Sequence, residues 1–386
     1  MIYEDFPSPC YVLEEDKLRR NLAFIRRVAE EAGVEVILAL KAFAQWRTFP
    51  IFREYIRHTT ASSPYEARLS AEAFGGLTYT YSPAYERSTF DDILRYSEHI
   101  TFNSLTQHER FYPYIKEWEQ RGGHRISVGL RINPEYSDIT TELYNPCAPG
   151  SRFGLLSMDL PSQLPEGVEG LHFHCLCEND ADSLQRVLSE VERRFSPWLD
   201  QVKWVNMGGG HLMTREGYHT ELLIGELRAF RERHPGVSVI LEPGSAFLWQ
   251  TGFLVATVVD VVENHGIRTA LLNVSFACHM PDCLEMPYQP EVVGAEIVDA
   301  SRAREELVYR LGGNSCLSGD YVGCWKFPEP LQVGQRVVLQ DMIHYTTVKT
   351  HMFNGVDHPQ MALLQQDGQL RVLRKFCYED YRDRMN

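Results

Sequence analysis

Eight short apolar runs, most of them separated by amphipathic stretches, occupy the chain as far as Glu242, and this alternation limits the possible folds more than any other feature. The first run, Val34–Leu40, follows a segment from Glu14 to Ala32 in which Leu18, Leu22, Ile25 and Val28 recur at helical spacing before Gly33. Further strand candidates lie at 58–62, 77–82, 98–103, 125–132, 168–176, 202–207 and 237–242. Helix-like spacing marks Tyr65–Phe74, Asp91–Ser97, Ser183–Leu199 and Thr220–Arg233 between them. Apolar runs without alternation suit strands covered on both faces, which is the condition of a parallel sheet. Eight β–α repeats predict a closed (β/α)8 barrel over 14–246, with an open doubly wound sheet as the competing topology. Beyond it the texture changes to β-rich runs (Phe253–Val262, Thr269–Phe276, Glu306–Leu311, Gln335–Leu339) without a long helix. Residues 247–386, with 1–13, are therefore expected to form a second, antiparallel β domain.

Composition excludes some classes of partner. With 38 Lys and Arg against 52 Asp and Glu, the net charge of −14 opposes binding to a nucleic-acid backbone and is compatible with a cationic small substrate. The Met1–Asp5 start lacks the charged and apolar regions of a signal peptide, and no apolar run approaches a membrane span. Nine cysteines are scattered without the dense spacing of a disulfide scaffold. The expectation is a cytoplasmic protein that contacts neither membrane nor nucleic acid.

In a barrel, reactive groups belong at the C-terminal ends of the strands. Four unusual groups fall there. Lys41 follows five apolar residues, Val36–Leu40; partial desolvation lowers an amine pKa and makes it a better nucleophile, although a strand-end lysine can also just reach water. Gly208-Gly209-Gly210 follow the seventh run, where a turn without Cβ atoms lets three backbone N–H groups approach an anion. Barrel phosphate sites are commonly built after strands seven and eight, and no GxGxxG or P-loop pattern points to a nucleotide. His174 could stack on a flat ring, act as a base or be a satisfied core histidine. A zinc site with His172, Cys175 and Cys177 is disfavoured, because alternation puts the two histidines on one face and the two cysteines on the other. Glu242, before Pro243-Gly244, is a carboxylate that needs a partner if buried; a protonated ring nitrogen would serve.

These residues, with Ala-Leu-Lys-Ala-Phe around Lys41, Phe173-His174, Cys316-Leu317-Ser318-Gly319-Asp320 and Tyr345 ahead of Phe353-Asn354-Gly355, resemble the alanine racemase-like (fold type III) pyridoxal-phosphate decarboxylases. The likeness runs in order over nearly the whole chain and is greatest to the carboxynorspermidine and carboxyspermidine decarboxylases of that group, which serve polyamine synthesis. The resemblance implies pyridoxal 5'-phosphate held as a Schiff base on Lys41, with His174 stacked on its ring. Gly208, Gly209, Gly210, Gly244 and Tyr345 would bind its phosphate side, and Glu242 would pair with its ring nitrogen and face the substrate. It further implies a homodimer with shared sites, in which Cys316 of the neighbouring subunit reprotonates the product carbon and Asp320 lies near the distal amine. His279 and Asp282 are added as further substrate contacts. Metal is not expected. Relatives acting on ornithine or diaminopimelate usually carry an arginine where this chain has Ser245, a Gly-Ser pair where it has Leu176-Cys177, and an acidic residue at Leu317. These departures favour a carboxylated polyamine over the alternative, a smaller diamino acid such as meso-diaminopimelate.

Overall fold

The computed structural model describes residues 3–386. It divides into two compact units, Asn21–Phe247 and a second made of the chain up to Arg20 with Leu248–Asn386. In the first unit, β2 (Glu35–Val36), β3 (Leu38–Ala39), β4 (Thr59–Ala61), β5 (Thr78–Tyr81), β6 (Ser97–Phe102), β7 (Ser127–Arg131), β8 (Val168–His172), β9 (Trp204–Asn206) and β10 (Ser238–Leu241) form one parallel sheet. β2 and β3 are two halves of a single strand, interrupted at Ile37. β2 pairs with β10 and β3 with β4, so this strand closes the ring. The same alternation continues past the ladders: Ile37 and Ala39 donate to Leu241 and Pro243, while Leu38 and Leu40 donate to His58 and Thr60. The expected barrel is present and the open sheet is not.

Helices Pro64–Leu69, Arg87–Tyr96, Leu105–Gln120, Ala181–Leu199 and Thr220–Arg233 fill most of the connections. Leu105–Gln120 is a helix in spite of Pro113 in its interior. It forms because Ser104 caps it, accepting from Gln107 N–H at 3.2 Å, and because His108, Phe111 and Ile115 give it a buried stripe. Between β7 and β8 the connection carries only single 3₁₀ turns.

The barrel interior is packed. Ile37, Tyr79, Trp204 and Ile240 form one layer, with His99 stacked on Tyr79 at 3.9 Å between ring centres. Gly129 and Gly170 make room for the Trp204 indole: a Cβ on either would lie 2.3 or 2.0 Å from it. The indole N–H is satisfied by Ser127 Oγ at 2.8 Å.

At the N-terminal end of the barrel, His58 bonds Glu35 through Nδ1 and lies 3.2 Å from Glu98 Oε1 through Nε2, while Glu35 Oε2 accepts from Tyr79 at 3.0 Å. Bonding to Glu35 raises the His58 pKa against the opposing effect of burial, helped by the charges of Glu35 and Glu98. Burial pushes Glu35 up, but its bonds and attraction to His58, with Tyr79, hold it below the ordinary value. A raised histidine stabilises the fold fully below its ordinary pKa of 6.5 and loses that contribution as pH rises through the raised value; a depressed carboxylate stabilises above 4.5 and loses it on acidification. The melting-temperature gap between wild type and His58→Gln is therefore expected to be widest between these two values and to narrow above the upper one. A gap independent of pH would show that the cluster is not ionic.

The second unit is a mixed sheet. It is built from β1 (Cys10–Glu14), β11 (Gly252–Asn264), β12 (Ile267–Leu272), β13 (Glu296–Val298), β14 (Val308–Gly312), β15 (Tyr321–Lys326), β16 (Arg336–Gln340), β17 (Gln360–Leu364) and β18 (Leu370–Arg374). Most pairings are antiparallel, as expected; β1 with β17 and β12 with β14 are parallel. Both parallel pairs join strands distant in sequence, which no local pattern announces.

Candidate active site

Every strand of the barrel ends toward one mouth, and the chain has placed its unusual groups there. Lys41 stands in a turn just after β3. Its side chain is open to water, yet it is recessed enough for surrounding protein to lower its pKa. Desolvation is the main cause and the Arg131 charge adds to it, opposed by Glu242, Glu66 and Cys177. A larger fraction of this amine is consequently neutral at a given pH than for a free lysine.

Glu242 follows β10 and is nearly buried. Its Oε1 accepts from Asn206 Nδ2 at 2.6 Å, and Oε2 lies 3.4 Å from His172 Nε2. Burial alone would raise its pKa; His172, Asn206 and the Lys41 charge overcome that and hold the carboxyl below its ordinary range. The carboxylate is thus ionised in a site poor in water. His172 ends β8 and packs against Tyr81 at 5.1 Å between rings.

β8 stops at His172 rather than continuing to 176, so His174 lies on the turn beyond it. Gly209 N–H donates to His174 Nδ1 at 2.9 Å, which fixes that nitrogen as an acceptor. Burial, followed by the charges of Lys41 and Arg131, pushes the His174 pKa well down. The ring is neutral and flat, with one edge tied to the glycine turn.

That turn corrects one expectation. Of the three glycine N–H groups, Gly208 donates to Asn206 Oδ1 at 2.9 Å and Gly209 to His174, so two are committed within the protein and Gly210 is left to face an anion. The glycines are required for another reason as well. Cβ atoms at 208, 209 and 210 would lie 2.6, 2.3 and 2.2 Å from the carbonyl oxygens of Phe173, Glu242 and Leu176, and Gly208 and Gly210 have φ of +70° and +90°. Gly244 and Ser245 are buried beside the turn, and the Ser245 hydroxyl donates to Glu178 Oε1 at 3.3 Å.

Sequence reasoning missed Arg131, Asn206 and Tyr81. Arg131 is buried at the end of β7, its guanidinium 4.6 Å from the Tyr81 ring centre and 4.4 Å from that of Phe153, with Nη2 donating to His174 O at 3.4 Å. The signal was available: a charged residue directly after the run Val128–Leu130, at the end of a strand, resembles the pattern that singled out Lys41.

The remaining candidates belong to the second unit. Cys316 is exposed on the loop between β14 and β15, its N–H donating to Asn354 Oδ1 at 2.8 Å. Asp320 is buried and braces that loop, accepting from Ala277 N–H at 3.0 Å and from the Ser315 N–H and hydroxyl at 3.2 and 2.6 Å. His279 is buried, accepts from Ser275 N–H at 3.1 Å, and is pushed by burial down to about 3. Asp282 is 2.7 Å from Lys349 Nζ. Tyr345 is half-buried and opens a 3₁₀ turn.

An amine with a depressed pKa, a neutral imidazole and a nearly buried carboxylate stand together at one barrel mouth. The model of the pyridoxal-dependent decarboxylases (C-terminal sheet domain) matches residues 10–343. A carboxyaminopropylagmatine decarboxylase of Synechocystis sp. is 48% identical over 98% of this chain and 95% of its own. A carboxynorspermidine/carboxyspermidine decarboxylase of Campylobacter jejuni is 43% identical over 99% of both. The crystal structure of carboxynorspermidine decarboxylase from Campylobacter jejuni, complexed with norspermidine, superposes with a TM-score of 0.89 at 40% identity, covering 98% of this chain and all of the other. Diaminopimelate decarboxylases stand further off, that of Methanocaldococcus jannaschii at 19% identity over 98% of this chain and 91% of its own. The chain belongs to the pyridoxal-dependent decarboxylase family, as its motifs led us to expect, and is a carboxy-lyase. Among the described residues no helix is long and apolar enough to cross a membrane.

Proposed function

We propose that this enzyme decarboxylates a carboxylated polyamine, carboxynorspermidine or carboxyspermidine, giving norspermidine or spermidine in the cytoplasm. The observation that carries this reading is full-length identity of 43% to a relative of that name, together with a mouth whose groups suit the cofactor. The fit to pyridoxal phosphate rests on three features of the fold: a recessed but open amine at Lys41, an ionised Glu242 within the barrel mouth, and a crowded glycine turn with the Gly210 N–H uncommitted. Held there, pyridoxal phosphate would supply the electron-withdrawing ring that loss of carbon dioxide from an amine-bearing carbon requires.

The protein groups then have distinct tasks. Lys41 would hold the cofactor, its lowered pKa leaving more of the free amine neutral and nucleophilic. Glu242, held ionised by Asn206 and His172, would lend its negative charge to the cofactor ring. His174 would offer that ring a neutral imidazole face. Gly208, Gly209, Gly210, Gly244 and Tyr345 line the phosphate side. Cys316 of a neighbouring subunit in a homodimer delivers a proton to the carbon that lost its carboxylate. Asp320, His279 and Asp282 face the cationic arm of the substrate, and an acidic protein suits such a ligand.

A second reading is favoured by the 48% identity to a carboxyaminopropylagmatine decarboxylase, whose substrate ends in a guanidino group where the spermidines end in an amine. Comparison of kcat/KM for carboxynorspermidine, carboxyspermidine, carboxyaminopropylagmatine and meso-diaminopimelate decides between them. The proposal expects at least tenfold preference for a carboxy-spermidine, and Cys316→Ala is expected to lose turnover by about 10²–10⁴-fold while keeping bound cofactor. Preference for the guanidino compound would transfer the assignment to the second reading.

A further inference from the structure

We propose that Cys147 and Cys175 are a redox-modifiable pair, which a peroxide joins into a disulfide that ties the β7–β8 loop to the turn after β8 that carries His174. The sulfurs lie 3.5 Å apart, in thiol–thiol contact, and must close to about 2.05 Å to bond. The two residues are 28 positions apart in the chain, on separate pieces of backbone that the fold brings together.

Both pieces are held. The loop is pinned at its base, where Asn133 N–H donates to Leu155 O at 2.8 Å and Leu155 N–H donates to Arg131 O at 2.9 Å. Cys147 itself is fixed by its N–H on Asn145 Oδ1 at 2.9 Å. Ser137, on the same loop, donates to the carbonyl of Cys175 at 2.7 Å. Cys175 immediately follows His174, whose carbonyl accepts from Arg131, so the pair sits directly behind the ring-facing histidine.

The two thiols are chemically unequal, which gives the reaction an order. Cys175 is buried and its pKa is pushed well up by burial, so it is inert toward solution oxidants. Cys147 is half-buried and its pKa is lowered by the Cys175 thiol against the effect of burial, with the Arg131 charge adding to the lowering. The Cys147 thiolate attacks the peroxide, breaking the O–O bond to give its sulfenic acid and an alcohol or water. The Cys175 sulfur then attacks the sulfenic sulfur, forming the S–S bond and releasing water. In all, two thiols and one peroxide give one disulfide, one water and one alcohol (a second water when the peroxide is hydrogen peroxide).

The test uses the cofactor-loaded enzyme, treated with hydrogen peroxide at the dose that half-oxidises the exposed Cys316, alkylated and digested with trypsin without reduction. The expected product is segment 132–152 linked to segment 153–186, two hydrogens lighter than the sum and split by dithiothreitol. The second segment also contains Cys177, so variants locate the bond: Cys177→Ser should keep the link, while Cys147→Ser and Cys175→Ser should each abolish it. Amide hydrogen exchange across 134–151 should slow at least threefold in the oxidised wild type and oxidised Cys177→Ser, and in neither Cys147→Ser nor Cys175→Ser. Oxidation of Cys316 without any link to Cys147, or a link that survives Cys175→Ser, would overturn the proposal.

Discussion

Lys41→Ala is expected to lower kcat by at least on the order of 10³-fold and to abolish the visible absorption of covalently bound pyridoxal phosphate. Lys41 lies at the end of a strand that closes the barrel by pairing on both sides, so its backbone is fixed while its side chain reaches water. Truncating an open side chain leaves no packed cavity, so the fold should be kept within about 0.5 kcal/mol. Loss of activity would then report chemistry. The lowered pKa gives a second handle. Since protein surroundings and Arg131 favour the neutral amine, added methylamine, which is largely charged near neutral pH, should rescue the variant better as pH rises. A Lys41→Ala protein that kept the covalent absorption, or retained turnover within tenfold of wild type, would remove Lys41 from its assigned role.

The barrel was legible because its signal is local. Each strand announces itself as an apolar run, and the eight runs survive in the structure with boundaries displaced by a few residues. The second unit was less legible in its pairing. β1 lies more than 200 residues from β11, and it is inserted between β11 and β17; nothing in Cys10–Glu14 encodes those partners. At the mouth, residues with unusual chemistry at strand ends were readable singly. What could not be read was which groups they spend on one another. The glycine turn seemed to offer three donors, yet Asn206 and His174 consume two. Asp320 was read as a substrate contact, and its carboxylate also accepts three hydrogen bonds within the protein, two from Ser315 of its own loop and one from Ala277 on a neighbouring helix. Composition and spacing report which groups are present, whereas hydrogen-bond commitment depends on side chains from distant strands.

Glu242→Gln is the second large effect, expected to lower kcat by about 10²–10³-fold at full cofactor occupancy, the scale for removing one preorganised charge or dipole from a site. The substitution is nearly isosteric. Glutamine can still accept from Asn206 Nδ2, now 2.6 Å from Oε1, and its amide can donate to His172 Nε2, which a neutral imidazole leaves free to accept. His172 is neutral by its environment, since burial lowers its pKa more than Glu242 restores it, and loss of the carboxylate lowers it further. Stability should therefore change little. Glu242→Leu, by contrast, leaves the buried Asn206 amide and His172 without their partner and should cost about 1–3 kcal/mol. The two variants separate structure from chemistry: the glutamine protein melts near wild type and is slow, the leucine protein is slow and less stable. The charge change also reaches Lys41, whose amine pKa is supported by Glu242; in the glutamine variant that amine should titrate at lower pH. If Glu242→Gln turned over within threefold of wild type with the cofactor fully bound, the carboxylate would be a structural anchor for Asn206 and His172, and the ring nitrogen would have to find its counter-charge elsewhere.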